Sequence, residues 1–309
     1  MAFFREGIKD TSVNFAEIFD YEKQIKTVGF KNSAFYSMIK SVSPTASGIN
    51  IAQGHTWWFD KVPDGTADNA HAEGSEPAAF KAFHGESMTN HYQITKTSFG
   101  VSGTELKGSH VSGETKLAYQ RRQAQLEHTI TLEKILLSDQ QAEARKEANG
   151  YVGKSAGLKS FLNVNTDLDM GAKDLSWDHI LELLKIGYLK GGSQFSHIMM
   201  NSAQKDALDK ILFNKTNLVN MKENSLGWNV MYITNTAYGS NIAVILNPYL
   251  NEDEIIAFKQ EDIFKVNWRP MRETKIPTSK DVELSQIISE FTLRVSSPFS
   301  LARLKNLKH

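Results

Sequence analysis

The apolar positions of this chain change period along its length, and each change predicts a structural element. Residues 1 to about 30 carry no sustained period and read as an arm, with Phe15, Ile18 and Phe19 sufficient for one short turn. Phe35, Tyr36, Met38 and Ile39 then predict a short helix over about 33–40, with Asn32 or Ser33 as its N-cap. His55 to Val62 (HTWWFDKV) reads as a strand, and Pro63-Asp64-Gly65 is a turn signal. Residues 87–103 are rich in Thr, Ser and aromatics and read as one long strand or a bent pair, with a bulge or exit at Gly100 and Gly103.

The period then becomes helical. Tyr119, Leu126, Ile130 and Leu137 predict one buried face on a helix over about 114–147, which Leu117, Leu132, Ile135 and Leu136 widen. Gly150 follows, where a left-handed stop is favoured. At 1.5 Å per residue this helix spans roughly 50 Å, which predicts an elongated body with a helical spine. An α/β segment begins near Ser176, the N-cap of a helix carrying Ile180, Leu183, Leu184 and Tyr188 and closed by Gly191-Gly192. A strand at 197–200 and a helix capped by Ser202, with Leu208, Ile211 and Leu212, follow. Further strands are expected near 228–234, 242–247 and 254–258. In the last one, about 282–296, Ile287, Phe291, Leu293 and Val295 share one side, and Glu290, Thr292 and Arg294 the other. No internal repeat or low-complexity tract is present.

Between the strand at 55–62 and its return near 87 lies a run with neither period, ADNAHAEGSEPAAF. From Asp60 to Glu76 it holds five acids, Asp60, Asp64, Asp68, Glu73 and Glu76, against one lysine, Lys61. An isolated hairpin is marginal in water, so an excursion of this length needs another surface to rest on. Trp57, Trp58 and Phe59, with Phe80 and Phe83 on the return, are the expected anchors on a neighbouring molecule, because aromatic residues dominate such contacts. Packing inside the chain at the loop base is the competing reading for Phe80 and Phe83.

Composition narrows the function classes. Lys+Arg and Asp+Glu are both 35, a formal net charge of zero. The basic excess of a dedicated nucleic-acid binder is missing, and near-neutrality removes one barrier to self-association. There is no cysteine, which excludes disulfides, thiolate metal sites and a cysteine nucleophile. No apolar run approaches the ~18 residues of a membrane span, and the start, Met1 to Glu6, lacks the pattern of a secretion signal.

Candidate chemistry is thin. Gly153-Lys154-Ser155 fits a relaxed phosphate loop, but Ala148 stands where the first glycine belongs and a helix precedes it. Asn165, Asp167 and Asp169 alternate like calcium ligands, yet Met170 and Ser176 occupy the positions that an EF-hand reserves for Gly and Glu. His55, His71, His84, His91 and His110 have no metal-helix spacing. Glu252, Asp253 and Glu254 read as a solvated face, and Trp268 with Arg269 and Arg272 as an interior or interface group rather than a nucleic-acid contact. No catalytic residue, metal site or cofactor is expected.

Specific stretches carry a resemblance. The run from Val101 through LAYQRRQAQLEHTITLEKILL (117–137), then AGLKSFLNVNT (156–166), YLKGGS (188–193) and the ending WRPMRETKIPTSKDVELSQIISEFTLRVSSPFSLARLKNL (268–307), in that order, resembles the tailed-phage major capsid proteins of the SU-ten major head protein group. The likeness spans about 30–307. Where that family usually has Lys-Thr-Gly-Asp, this chain has Pro277-Thr278-Ser279-Lys280-Asp281, and the loop at 66–80 is individual.

The resemblance implies an α+β, Hong Kong 97-like capsid fold. It implies an N-terminal arm at 1–30, peripheral-domain segments at 31–52, 87–166 and 261–309, an extended loop at 53–86 lying on the neighbouring subunit, and an axial domain at 167–260. It implies a shell subunit of a tailed bacteriophage that assembles with itself into pentamers and hexamers. Portal and scaffolding proteins are the further partners. DNA is enclosed without specific binding, the shell is built in the host cytoplasm, and no membrane is involved. An encapsulin-like nanocompartment shell and a metal- or nucleotide-dependent enzyme are the alternatives.

Overall fold

A computed structural model describes residues 33–44, 54–76, 82, 84–108, 113–192, 194–213, 219–223, 229–233, 238–239 and 241–308. The expected arm at 1–30, together with Phe80, Phe83 and His110, lies outside the described residues. Two sheets and one long helix carry the rest.

The larger sheet has seven strands. They are β5 (Asp167–Lys173), β6 (His197–Met200), β7 (Val219–Glu223), β8 (Asn229–Ile233), β9 (Ile242–Leu246), β10 (Ile255–Phe258) and β13 (Leu301–Leu307), in the order β5-β13-β10-β6-β9-β8-β7. Its central strands are apolar at nearly every position because both faces are covered. Ile198, Met200, Val244, Ile255 and Ala257 face α4 (Trp177–Gly191) and α5 (Ser202–Phe213). Met199, Ile245, Ile256 and Phe258 face the other way, toward the spine helix. The α4 boundaries follow the predicted signals. Ser176 Oγ accepts from His179 N at 3.3 Å, and Gly192 takes the left-handed conformation at φ 61°.

The smaller sheet has four strands. They are β1 (Lys40–Val42), β4 (Gln93–Ser102), β11 (Ile263–Ile276) and β12 (Val282–Val295), in the order β1-β11-β12-β4. β11 and β12 form a long antiparallel hairpin, and β12 pairs β4 from Val282 to Phe291. The predicted 87–103 element is the bent pair, β3 (Glu86–Asn90) followed by β4. Gly100 makes no bulge. A Cβ there lies 2.4 Å from Leu284 Cδ2, so glycine leaves room for that side chain beside the strand.

The spine, after the single turn α2 (Gly103–Leu106), is α3 (Lys116–Leu137), 22 residues and roughly 33 Å long, shorter than expected. After Leu137 the sequence is good helix former without an apolar stripe, and side-chain bonds end the helix there. Ser138 Oγ donates to Ile135 O at 2.7 Å, and Gln140 Nε2 donates to Ser155 O at 2.6 Å. Gly150 is left-handed at φ 62°, but it closes the 3-10 turn Glu147–Asn149 and not the spine.

The buried face of α3 also differs from the expectation. Ala124, His128, Leu132 and Leu136 point inward at spacings of four, with Glu133 and Leu137 beside them. Tyr119, Leu126 and Ile130 are only half-buried. The face rotates because a polar zipper ties helix to sheet. His128 Nδ1 lies 3.0 Å from Thr97 Oγ1 on β4, and its Nε2 lies 2.8 Å from Ser289 Oγ on β12. Burial holds His128 below the usual histidine range, so it is the neutral ring that bridges the two hydroxyls.

Two further corrections concern the C-terminal part. The sequence reading groups 261–309 with the return strand, whereas β13 inserts between β5 and β10 of the larger sheet. Leu301, Ala302 and Leu304 are fully buried there, and their apolar area requires a covered sheet. On β12, Glu290 and Thr292 are buried as well as their apolar neighbours, because Arg145 and Arg269 close over Glu290.

One buried carboxylate joins these parts. Glu133 Oε1 accepts from Phe35 N at 3.0 Å and from Asn247 Nδ2 at 2.6 Å, and Oε2 accepts from Tyr36 N at 2.6 Å. It therefore caps α1 (Ala34–Met38), whose own Ser33 makes no side-chain cap. Lys265 of β11 holds its ammonium 3.3 Å above the Tyr36 ring. Burial pushes Glu133 above the usual carboxylate range, against the amide donors and Lys265. Burial likewise pushes Lys265 down to about 8, against the pull of Glu133.

Two outcomes follow. Leu136→Ala lowers unfolding free energy by about 2–5 kcal/mol, whereas Tyr119→Ala costs under about 1 kcal/mol, as denaturant titration of unassembled subunits measures. Between pH about 8 and the ordinary lysine value of 10.5, the unfolded chain keeps the Lys265 proton that the folded chain has released. Stability therefore rises with pH over that window. Thermal melts from pH 8 to 10 show the rise, and Lys265→Met flattens it.

Candidate functional site

The site begins at the foot of a hairpin. β2 (His55–Phe59) pairs β3 in antiparallel register from His55↔Asn90 to Phe59↔Glu86. Period-two alternation sends Trp57 and Trp58 to opposite sides. Trp57 turns inward, 4% exposed, with its Nε1 donating to Val295 O at 2.8 Å and its ring 6.1 Å from that of Phe161. Trp58 turns outward, 71% exposed. The expected anchor set is therefore corrected at Trp57, whose ring is committed inside its own subunit. Trp58 is the described member that faces outward, whereas Phe59, two residues from Trp57, is on the inward side of the strand and half-buried.

Asn90 clamps the foot to the body. Its Nδ2 donates to Leu293 O at 2.6 Å, and its Oδ1 accepts from Ala156 N at 2.7 Å and His91 N at 2.8 Å. Gly54 opens the hairpin at φ 79°, where a Cβ lies 2.5 Å from Asn90 O, so the tight approach requires glycine. His55 stacks on Trp57, and burial, then Arg294, holds it below the usual histidine range. Sequence reasoning missed Asn90. The available signal was an amide residue in a strand, which β-sheets disfavour without a specific partner.

Beyond the foot, every residue from Asp60 to Glu76 is exposed. Its one lysine, Lys61, pairs back to Glu86 at 2.5 Å. Asp64, Asp68, Glu73 and Glu76 make no ion pair among the described residues. Rigid foot, bare limb and outward tryptophan form a projection that no described residue of its own chain covers.

The other candidates are absorbed by the fold. Lys154 pairs Glu143 at 2.8 Å across an antiparallel bridge, and Ser155 is buried with its Oγ accepting from Leu293 N at 3.2 Å. No phosphate cradle opens between them. Asp167 is gripped by Arg303 at 2.8 Å through both oxygens and by Lys305 at 2.8 Å, and these cations outweigh its burial to hold it below the usual carboxylate range. Asp169 binds Gly171 N and Asn306. The calcium-like loop is thus strand β5 with structural ion pairs. Among the described residues no group of three His, Asp or Glu stands close enough to hold a metal ion. Glu254, expected on a solvated face, is buried between Lys159 and Arg303. Trp268 packs on Tyr92 at 5.7 Å, and Arg269 binds Glu290 at 2.6 Å. No described helix is long and apolar enough to cross a membrane.

Comparison with known proteins converges on one architecture. The SU10 major capsid protein family matches residues 7–308. No curated protein matches the chain in sequence. The capsid of a native GTA particle is similar at TM-score 0.64 with 12% identity, over 94% of this chain and 95% of that one. The capsid of Myoviridae Phage XM1 is similar at TM-score 0.61 with 13% identity, over 95% of this chain and 100% of that one. The holo-SrpI encapsulin complex from Synechococcus elongatus PCC 7942 is similar at TM-score 0.62 with 11% identity, over 95% and 93%. These likenesses establish the Hong Kong 97-like fold.

The two tryptophans separate in measurement. Trp57→Ala lowers subunit stability by about 3–5 kcal/mol. Trp58→Ala leaves it within about 0.5 kcal/mol, read by chemical denaturation below assembly concentration.

Proposed function

We propose, from the premise that this chain belongs to the SU10 major capsid protein family and is a tailed-phage major capsid protein rather than an enzyme, that it closes its shell by laying the hairpin projection of each copy on the next. The single observation that carries this reading is the bare limb from Asp60 to Glu76 above an outward Trp58. A long polar segment without its own ladder gains order only against a second surface.

In this reading residues 1–30 are the arm, the projection is the extended loop, and α3 with the four-stranded sheet is the peripheral domain. The seven-stranded sheet is the axial domain, and it takes β13 as well. Copies contact one another through unlike surfaces, and rings close when those contacts repeat around an axis. Pentamers and hexamers are the rings that an icosahedral shell needs. Trp58 supplies aromatic anchor area on the neighbour, and each contact is strengthened by the many others in the shell.

Portal and scaffolding proteins are the further partners. The genome is enclosed without specific contacts, which suits a chain of zero net charge. The subunit assembles in the host cytoplasm and ends in the virion. An encapsulin shell shares the fold, and the family match favours the phage shell.

Electron microscopy of the expressed protein is expected to show closed shells. Trp58→Ala lowers particle yield while its subunit stays folded. A monodisperse monomer of 34.7 kDa that never assembles, with or without scaffold, rejects the proposal. Particles loaded with an enzyme instead of DNA turn the reading toward the nanocompartment.

A further inference from the structure

The sequence places an Asp or Asn directly before glycine at two positions, Asp64-Gly65 and Asn149-Gly150. Both pairs carry the same latent chemistry. The main-chain nitrogen of the glycine can attack Cγ of the residue before it. A succinimide ring closes as the N–Cγ bond forms. The proton of that nitrogen leaves with the displaced group, as water from an Asp carboxyl or as ammonia from an Asn amide. Water then opens the ring. Addition at Cγ yields Asp, whereas addition at the main-chain carbonyl yields isoaspartate, with the chain running through the side-chain carbon. Glycine favours the attack because it has no Cβ to shield its nitrogen. In an unstructured chain near neutral pH the Asn pair is the faster, because a carboxylate resists attack and a neutral amide does not.

The fold reverses that order. Asn149 sits in the 3-10 turn Glu147–Asn149. Its Oδ1 accepts from Lys146 N at 2.9 Å, and its Nδ2 donates to Ala144 O at 2.8 Å and to Glu143 Oε1 at 2.9 Å. The attacking atom is engaged as well, since Gly150 N donates to Glu147 O at 3.0 Å. Glu143 and Lys154 hold the ends of this loop together by two backbone bonds of 3.0 Å. Ring closure there needs side chain and amide released together, a local opening that costs free energy.

Asp64-Gly65 carries no such lock. Both residues are exposed and lie outside any helix, strand or hydrogen-bonded turn. Among the described residues neither the Asp64 carboxylate nor Gly65 N has a hydrogen-bond or ion-pair partner. A Cβ at Gly65 meets nothing within 4 Å. Carboxyl and amide can therefore rotate into the attack geometry without breaking a contact, on a stretch that neither ladder nor packing orders.

We propose that Asp64-Gly65 is a covalent modification site, at which the folded subunit converts spontaneously through the succinimide to isoaspartate, while Asn149 is kept unreactive by its turn. The conversion adds a methylene to the main chain of the limb and leaves its charge unchanged, so it alters the course of the limb and not its electrostatics. The proposal concerns the free subunit and stands apart from the shell-assembly reading.

Ageing of the full chain below assembly concentration tests it, folded and in urea, at mildly acidic and mildly alkaline pH. Mass spectrometry of peptides locates the products, and an isoaspartyl methyltransferase with labelled S-adenosylmethionine counts isoaspartate. In folded subunits the Asp64 peptide gains a species lighter by one water and then isoaspartate. Asn149 is deamidated about tenfold more slowly than in urea, where it becomes the faster site. Gly65→Ala slows conversion at Asp64 about tenfold by shielding the nitrogen, and the open space around it leaves the thermal melt unchanged. Folded subunits that show no conversion at Asp64, conversion there that Gly65→Ala does not slow, or Asn149 reacting as fast folded as in urea each overturns the proposal.

Discussion

The carboxylate of Glu133 is the constraint around which the subunit is arranged. It sits fully buried on the spine helix and receives two amides of α1 and the side chain of Asn247. Lys265 approaches from the smaller sheet over Tyr36. One charge thus binds together the spine, the first helix and both sheets. A buried charge is costly unless satisfied, so the neighbours have little freedom in where they place their donors. Removing any one donor leaves the others holding an uncompensated ion, which makes the joint cooperative rather than a sum of bonds.

That joint separates the parts of the molecule that are held from the part that is free. The hairpin foot is held, by Trp57 on Val295 and by Asn90 on Leu293 and Ala156. Both tie points lie on or beside the end of β12 that packs toward the spine. A few residues further out, the limb from Asp60 to Glu76 is exposed along its whole described length. A stiff base with an unsupported end is what a subunit needs if its contacts are to be completed by a neighbour.

Charge follows the same division. Interior ions are closed within the subunit: Glu290 with Arg145 and Arg269, Glu254 with Lys159 and Arg303, Asp167 with Arg303 and Lys305. Several side chains that look like chemistry in the sequence, such as Asp167 and Ser155, are spent on these internal links. The acids of the limb beyond Asp60, in contrast, make no ion pair among the described residues.

Local pattern alone determined the elements whose partners are near in sequence. Ser176 and Gly192 bound α4, the apolar runs of β6, β9 and β10 declare a doubly covered sheet, and the barren stretch after Asp60 announces a projection. Hydrogen bonds within one segment and apolar periodicity decide these, and both can be read along the chain. The tertiary structure decided where α3 ends, which of its faces is inner, which sheet takes β13 and which tryptophan goes inside. Each of those choices depends on a partner far away in sequence: Ser289 for His128, Asn247 for Glu133, β5 and β10 for β13, Val295 for Trp57. Inward polar residues are the reason they stay hidden, because a hydrophobic pattern counts His128, Glu133 and Asn90 as surface until their distant partners are in place.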